Sequence, residues 1–206
     1  NHNGNIDILA EMVEKAAKSG ATRAKIQTIY SKNLSFRPEF EEGVKFGNNV
    51  LSIKRPYKAE YERLKKLELS NKSSKKFISL CLDNGLVPMT TCFSRASIDE
   101  IYETGFKSIK VASYDCASYQ LIRELVDKFD ELIVSTGGTY DDEIEKTTNI
   151  LKDSNYSLLH CVTLYPTPLS QMNLERMLWL KKFTNNIGLS EHTLFSRDSI
   201  QASMAA

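Results

Sequence analysis

Two hydrophobic rhythms alternate along the chain. Short apolar runs at 23–28, 87–92, 108–113, 132–136, 157–163 and 187–190 have the length and composition of buried β-strands, and most end in Ser or Thr. Between them, stretches at roughly 6–19, 60–84, 98–103, 119–129, 142–152, 174–182 and from 196 onward carry the three-to-four-residue spacing of amphipathic helices. Gly20, Gly85 and Gly105 stand where helix C-terminal caps belong. Thr139 with Asp141, Asp142 and Glu143, and Ser97 with Asp99 and Glu100, mark acidic first turns. One segment, 31–58, has neither rhythm and contains Pro38, Gly43, Gly47, Asn48, Asn49 and Pro56. A loop of that length is expected to be a functional lid or disordered, and after a barrel strand it would lie on the active-site face.

Repeated β–α units imply a parallel sheet. From residue 87 on, the strand ends recur at roughly 20–30-residue intervals, which favours a TIM-type (β/α)₈ barrel over an open doubly wound sheet. Six strands are predicted where a barrel has eight, so the barrel is expected to be incomplete at both ends. The 206 residues then form a single barrel domain whose first and last strands fall outside the chain. The opening Asn-His-Asn-Gly lacks Met and the end falls inside a helical stretch, as expected of a fragment.

Composition narrows the function classes. Lys and Arg total 27 against 26 Asp and Glu, a net charge of +1, which argues against a nucleic-acid binder driven by bulk charge. No apolar run approaches the roughly 20 residues that span a bilayer. Cys81, Cys92, Cys116 and Cys161 form no Cys-x-x-Cys pair, so reduced, buried thiols in a cytoplasmic protein are expected rather than a zinc knuckle.

Strand side chains alternate in direction, so one parity faces the interior of a barrel. With Lys110 inward, that parity holds Lys25 and Gln27, Met89 and Thr91, Ala112, Ile133 and Ser135, Cys161 and Thr163, then Gly188, Ser190 and His192. Each strand thus places a polar group near its C-terminal end, where barrel enzymes keep their chemistry. A lysine inside an apolar strand costs several kcal/mol unless its charge is used. Lys25 and Lys110 therefore point to an anionic ligand, held also by the hydroxyls of Thr91, Ser113 and Ser135 and by N–H groups around Gly137 and Gly138. A snorkelling or paired lysine is the plainer alternative. Asp115 is placed to bring a carboxylate near Lys110 or to cap the next helix. His160, of opposite parity, is expected to pack outward. His192 is a metal-ligand or acid/base candidate, although one His is a poor metal site. His2 is expected in a turn capping the first helix. Tyr165-Pro166-Thr167-Pro168 is a stiff turn that staples a loop or holds Tyr165 and Thr163 over a substrate.

These motifs, in this order, resemble the sialic acid synthase family: N-acetylneuraminate, legionaminate and N-acylneuraminate-9-phosphate synthases. The resemblance rests on Asn1-His2-Asn3-Gly4, Lys25-Ile26-Gln27, residues 61–70, residues 109–113, Val134-Ser135-Thr136-Gly137-Gly138, residues 159–168 and residues 189–193, and spans essentially the whole chain. It implies a barrel that condenses phosphoenolpyruvate with an N-acyl-mannosamine-type sugar, in a parent protein that is a homodimer. Carried over position by position, Lys25, Thr91, Lys110, Ser113, Ser135, Thr163 and Ser190 would bind phosphoenolpyruvate, and Gln27, Asp115 and Tyr165 would face the sugar. His192 would be one of two histidines holding a divalent metal, Mn2+ with Mg2+ or Co2+ as alternatives. The catalytic candidates are Lys110, Asp115 and His192. The second histidine and a C-terminal antifreeze-like domain would lie beyond residue 206, so these residues alone are expected to be inactive. The chain departs from the family's pattern at Glu191, Gly138 and Asp115, where Asp, Met and Glu are usual or frequent. Two other functions compete: a class I aldolase using Lys110 as a Schiff-base amine, and a phosphosugar-binding barrel without turnover.

Overall fold

The computed structural model describes residues 2–47 and 49–206. Asn1 of the opening motif and Asn48 of the 31–58 segment lie outside the described residues. Six strands, β1 (Arg23–Thr28), β4 (Val87–Cys92), β5 (Ser108–Val111), β6 (Glu131–Ser135), β7 (Tyr156–Cys161) and β8 (Ile187–Ser190), form one sheet in that order. Every neighbouring pair in it is parallel. A separate antiparallel hairpin, β2 (Val44–Phe46) with β3 (Asn49–Ser52), and the short helix α2 (Pro38–Glu42) occupy the segment that carried no rhythm in sequence.

The helices are α1 (Ile6–Lys18), α3 (Tyr57–Leu67), α4 (Asn71–Asp83), α5 (Ile98–Thr104), α6 (Tyr119–Val126), α7 (Asp141–Leu151), α8 (Arg176–Leu180), α9 (Phe195–Asp198) and α10 (Gln201–Ala205). The core lies between one face of the sheet and these helices. Ile26, Ile109, Val111, Leu132, Val134 and Leu158 supply the strand side, with Val13, Phe77, Ile98, Ile122, Ile144 and Leu180 against them. All six strand residues have the parity opposite to Lys110. The helices therefore cover one face only, as in a barrel wall; a doubly wound sheet is covered on both faces. The other face keeps Lys25 and Gln27 exposed and Lys110 half-buried.

Local chemistry explains the element boundaries and corrects several expectations. The predicted helix over 60–84 is two helices, because Ser70 Oγ accepts the Ser73 N–H at 3.1 Å as the N-cap of α4. Nearby, the Glu68 carboxylate accepts the Ser31 N–H, tying this break to the loop after β1. The helix expected from 196 onward is broken at Ser199, whose φ of 52° no α-helix tolerates. His2 does not cap α1; Asn5 does, accepting from the Asp7 and Ile8 N–H groups at 2.8 and 3.2 Å. The His2 Nδ1 instead accepts the Gly4 N–H at 3.0 Å in the preceding turn. Ser97 sits at the N-cap position of α5, but its hydroxyl donates to the Ser94 carbonyl. At α7 the Glu143 carboxylate reaches back to the Tyr140 N–H, so Tyr140 rather than Thr139 is the cap residue. Gly20, Gly85 and Gly105 all have positive φ, as their cap positions require.

Candidate functional site

The strand register brings the polar parity into one surface. Gln27 pairs with Thr91, Thr91 with Lys110, Lys110 with Ile133, and Cys161 with Ser190. Lys25 lies one pleat below Gln27, beside Met89. In a parallel sheet paired residues point the same way, so Lys25, Gln27, Thr91, Lys110, Ser135 and Ser190 share the helix-free face.

Lys110 donates to Ser135 Oγ at 2.7 Å. Ser113, on the 3₁₀ turn that follows β5, accepts the Gly137 N–H at 3.1 Å. The loops after β5 and β6 are thereby locked together around two hydroxyls and an ammonium. Burial lowers the Lys110 pKa. The Lys25 side chain runs exposed along the strand edge. Its ammonium is nevertheless desolvated, and with the Lys110 charge beside it the pKa falls to about 8. Two ammonium groups that repel each other have the charge that suits an anion. The Thr91 hydroxyl is buried with no hydrogen-bond partner among the described residues.

Gly137 lies where the loop after β6 passes close to the residues after β7. A Cβ there would stand 2.9 Å from the Cys161 carbonyl oxygen, from Cys161 Sγ and from Thr163 Cγ2. Thr163 therefore overlies the Ser135–Gly137 loop. Gly138, with φ of 66°, completes the turn.

At the end of the sheet His192 is fixed from three sides. Its Nδ1 lies 3.0 Å from the Val162 carbonyl oxygen and 3.7 Å from Cys161 Sγ. Two acceptors would repel at 3.0 Å, so Nδ1 carries the proton and donates to Val162. Tyr165 stacks on the imidazole with centroids 4.3 Å apart. Thr167, fully buried, donates its N–H to the His192 carbonyl at 2.9 Å and its hydroxyl to Leu164 O at 2.7 Å. This arrangement leaves Nε2 as the lone-pair nitrogen, the form that binds a metal. Among the described residues no group of three or more His, Cys, Asp or Glu could hold a metal ion. His192 thus fits one place in a metal's shell, and the described residues do not complete the shell.

Among the described residues no hydrogen bond or ion pair joins Asp115 to Lys110, whose partner is Ser135. Asp115 is buried, its Oδ1 accepts from Ser118 at 3.2 Å, and Oδ2 has no partner. It lines a cavity on the flank with Phe93, Arg95, Ser118 and Arg123. Burial raises its pKa, opposed by the Ser118 hydrogen bond. His160 faces the helices as expected, with Nε2 2.6 Å from the Met172 carbonyl oxygen. All four cysteines are free and buried. The role of Thr167 and the Val162 carbonyl in holding His192 was missed in the sequence; the two prolines flanking Thr167 were the available signal.

A helix-sided parallel wall with lysines and hydroxyls at its strand ends defines the class, and sequence comparison gives the family. Residues 12–206 match the NeuB family model, and the chain belongs to that family. It is 31% identical over 199 residues to the N,N'-diacetyllegionaminic acid synthase of Campylobacter jejuni, covering 94% of this chain and 58% of that protein. The synthase of the same name from Legionella pneumophila is 31% identical over 202 residues, covering 94% and 55%. The crystal structure of N-acetylneuraminic acid synthetase from Leptospira borgpetersenii in complex with citrate superposes with a TM-score of 0.79 at 26% identity, covering 100% of this chain and 65% of that one. The chain thus spans a little over half the length of the curated relatives it matches.

Proposed function

We propose that the chain carries the phosphoenolpyruvate site, and part of the acceptor site, of a nonulosonic acid synthase. The reaction joins phosphoenolpyruvate to an N-acyl-mannosamine-type sugar and releases phosphate. The observation that carries this is the pair of ammonium groups, Lys25 and Lys110, on the helix-free face, with Lys110 bonded to Ser135 and an unpartnered Thr91 hydroxyl nearby. Phosphoenolpyruvate bears a phosphate and a carboxylate, and two cations with Thr91, Ser113, Ser135, Thr163 and Ser190 suit that charge.

In the chemistry, C3 of phosphoenolpyruvate forms a bond to the aldehyde carbon of the open-chain sugar, and the aldehyde oxygen takes up a proton. Water adds to C2 and loses its proton. The C2–O bond to phosphate then breaks, phosphate leaving with that electron pair and taking up the proton that the C2 hydroxyl loses as it becomes the ketone. Lys25 and Lys110 hold the anion and offset its charge as it moves from the ester to free phosphate. Gln27 and Tyr165 bound the acceptor side. Asp115, whose pKa burial raises, would move the proton at the sugar oxygen only on leaving its Ser118 bond and turning in from the flank. A divalent metal, Mn2+ with Mg2+ or Co2+ as alternatives, would act as a Lewis acid on the aldehyde when bound through His192 Nε2.

The lowered Lys110 pKa also suits a Schiff-base amine. One experiment separates the two. Phosphoenolpyruvate labelled with ¹⁸O at the bridging position, turned over by the full-length protein with N-acyl hexosamines, should deliver the label to phosphate. Borohydride trapping of substrate on Lys110 would overturn the proposal.

A further inference from the structure

A cavity of about 540 Å³ opens beside the strand ends of β1, β4 and β5, apart from the lysine row. Its walls are the loop after β1, the start of α3 and the residues just beyond β4 and β5. Three guanidinium groups line it, Arg37, Arg55 and Arg63, against one carboxylate, Glu60. That carboxylate is committed: Arg63 holds it through two bonds at 2.9 and 2.7 Å. Among the described residues Arg37 and Arg55 enter no ion pair. Arg37 is instead laid over the Phe40 ring and donates to the Tyr114 hydroxyl at 3.3 Å. The Asn33 amide nitrogen, on the same wall, is buried without an acceptor. Rings complete the lining, chiefly Tyr30, Phe40, Tyr57, Phe93 and Tyr114.

These groups share a sign. Every unsatisfied polar group named is a donor, and the uncompensated charge is positive. A guanidinium fork matches a phosphate or carboxylate in the plane, and aromatic walls suit a flat or ring-shaped body. We propose that this cavity is a second oxyanion site, separate from the lysine row, which takes a small ring-bearing molecule carrying a phosphate or carboxylate. The oxyanion sits between Arg37 and Arg55 with the Asn33 amide behind it, and the ring lies among the tyrosines. Such a molecule is either the sugar acceptor's own remote group or a separate effector.

Phenyl phosphate and inorganic phosphate, titrated calorimetrically, test this. Phenyl phosphate should bind more tightly than inorganic phosphate. It should bind Lys25→Met/Lys110→Met, where the lysine row is silenced, within about twofold of the unsubstituted protein, and lose roughly tenfold or more in Arg37→Gln/Arg55→Gln. Both arginines are exposed, and circular dichroism checks that the variant folds. In the unsubstituted protein the Arg37 and Arg55 Nε–Hε resonances should shift on titration, a readout that needs no variant. Undiminished affinity in the arginine variant, loss of binding in the lysine variant, or unmoved arginine resonances would each overturn the proposal. Competition by N-acetylmannosamine 6-phosphate, which carries the oxyanion that the neutral sugar lacks, assigns the site to the acceptor; indifference to it assigns a separate ligand. Failure of phosphoenolpyruvate binding alone bears on the lysine row and leaves this result standing.

Discussion

Lys25 shows how a desolvated ammonium acts against the stability of the fold. Its pKa is about 8 in the folded chain against 10.5 ordinarily. Between those values the unfolded chain binds the proton more tightly, so stability rises with pH through that window and the full penalty is present below it. Lys25→Met should therefore raise the thermal midpoint at pH 7 while weakening phosphoenolpyruvate binding about 10–100-fold, the loss of one or two charged hydrogen bonds. Thermal melts at pH 7 and pH 10 check the first half: the gain should shrink at the higher pH. Binding should also weaken as pH rises above about 8, where Lys25 loses its proton. At the same scale, His192 is predicted to hold its proton on Nδ1, because the Val162 carbonyl is 3.0 Å away. Nitrogen chemical shifts of labelled histidine check this, and a proton on Nε2 would remove the ligand geometry.

Among the elements, the joint between β6 and β7 leaves no room for a side chain at Gly137. Gly137→Ala would drive a methyl group to 2.9 Å from the backbone and side chains of Cys161 and Thr163. The expected cost is about 1–3 kcal/mol of stability by overpacking. Loss of the Gly137 N–H bond to Ser113 should also weaken phosphoenolpyruvate binding; denaturant titration and calorimetry read the two effects separately. Ser70→Ala should cost about 1 kcal/mol by uncapping α4, with no change in ligand binding. The strands were legible in sequence because their outward parity is uniformly apolar: Ile109, Val111, Leu132, Val134 and Leu158 are fully buried. The break between α3 and α4 was not, because residues on both sides keep a helical spacing and only the Ser70 cap and the Glu68 contact divide them. The hairpin β2–β3 was hidden for the opposite reason. Both its faces are largely exposed, so Phe46, Val50 and Leu51 alternate with nothing.

For the molecule as a whole, helices on one face leave the other free to carry function. Parity alone gathered Lys25, Gln27, Thr91, Lys110, Ser135 and Ser190, and the register confirms their common side. What parity could not supply is depth and neighbours beyond the strand ends. Asp115, two residues past Ser113, turns to the flank because its 3₁₀ turn directs it to Ser118. Tyr165 meets His192 through a loop contact that no strand pattern encodes. The shared face of the lysine row was therefore legible in the strand parity, and the surroundings of Asp115 were not. Asp115→Asn tests that residue in the full-length protein: turnover should fall about 10²–10⁴-fold with phosphoenolpyruvate affinity unchanged, as for a proton-transfer group. Unchanged turnover would reduce Asp115 to holding the Ser118 turn.

The central claim is that the two lysines form one phosphoenolpyruvate site. Calorimetric titration of phosphoenolpyruvate at pH 9 in buffers of different ionisation enthalpy tests it most directly, since it reads affinity and proton uptake together. An anion bound at Lys25 should pull that group back to its charged form, so part of one proton is taken up per ligand. Uptake should vanish in Lys25→Met, and affinity should fall in both Lys25→Met and Lys110→Met. Binding of undiminished strength in both variants, with no proton taken up in the unsubstituted protein, would contradict it.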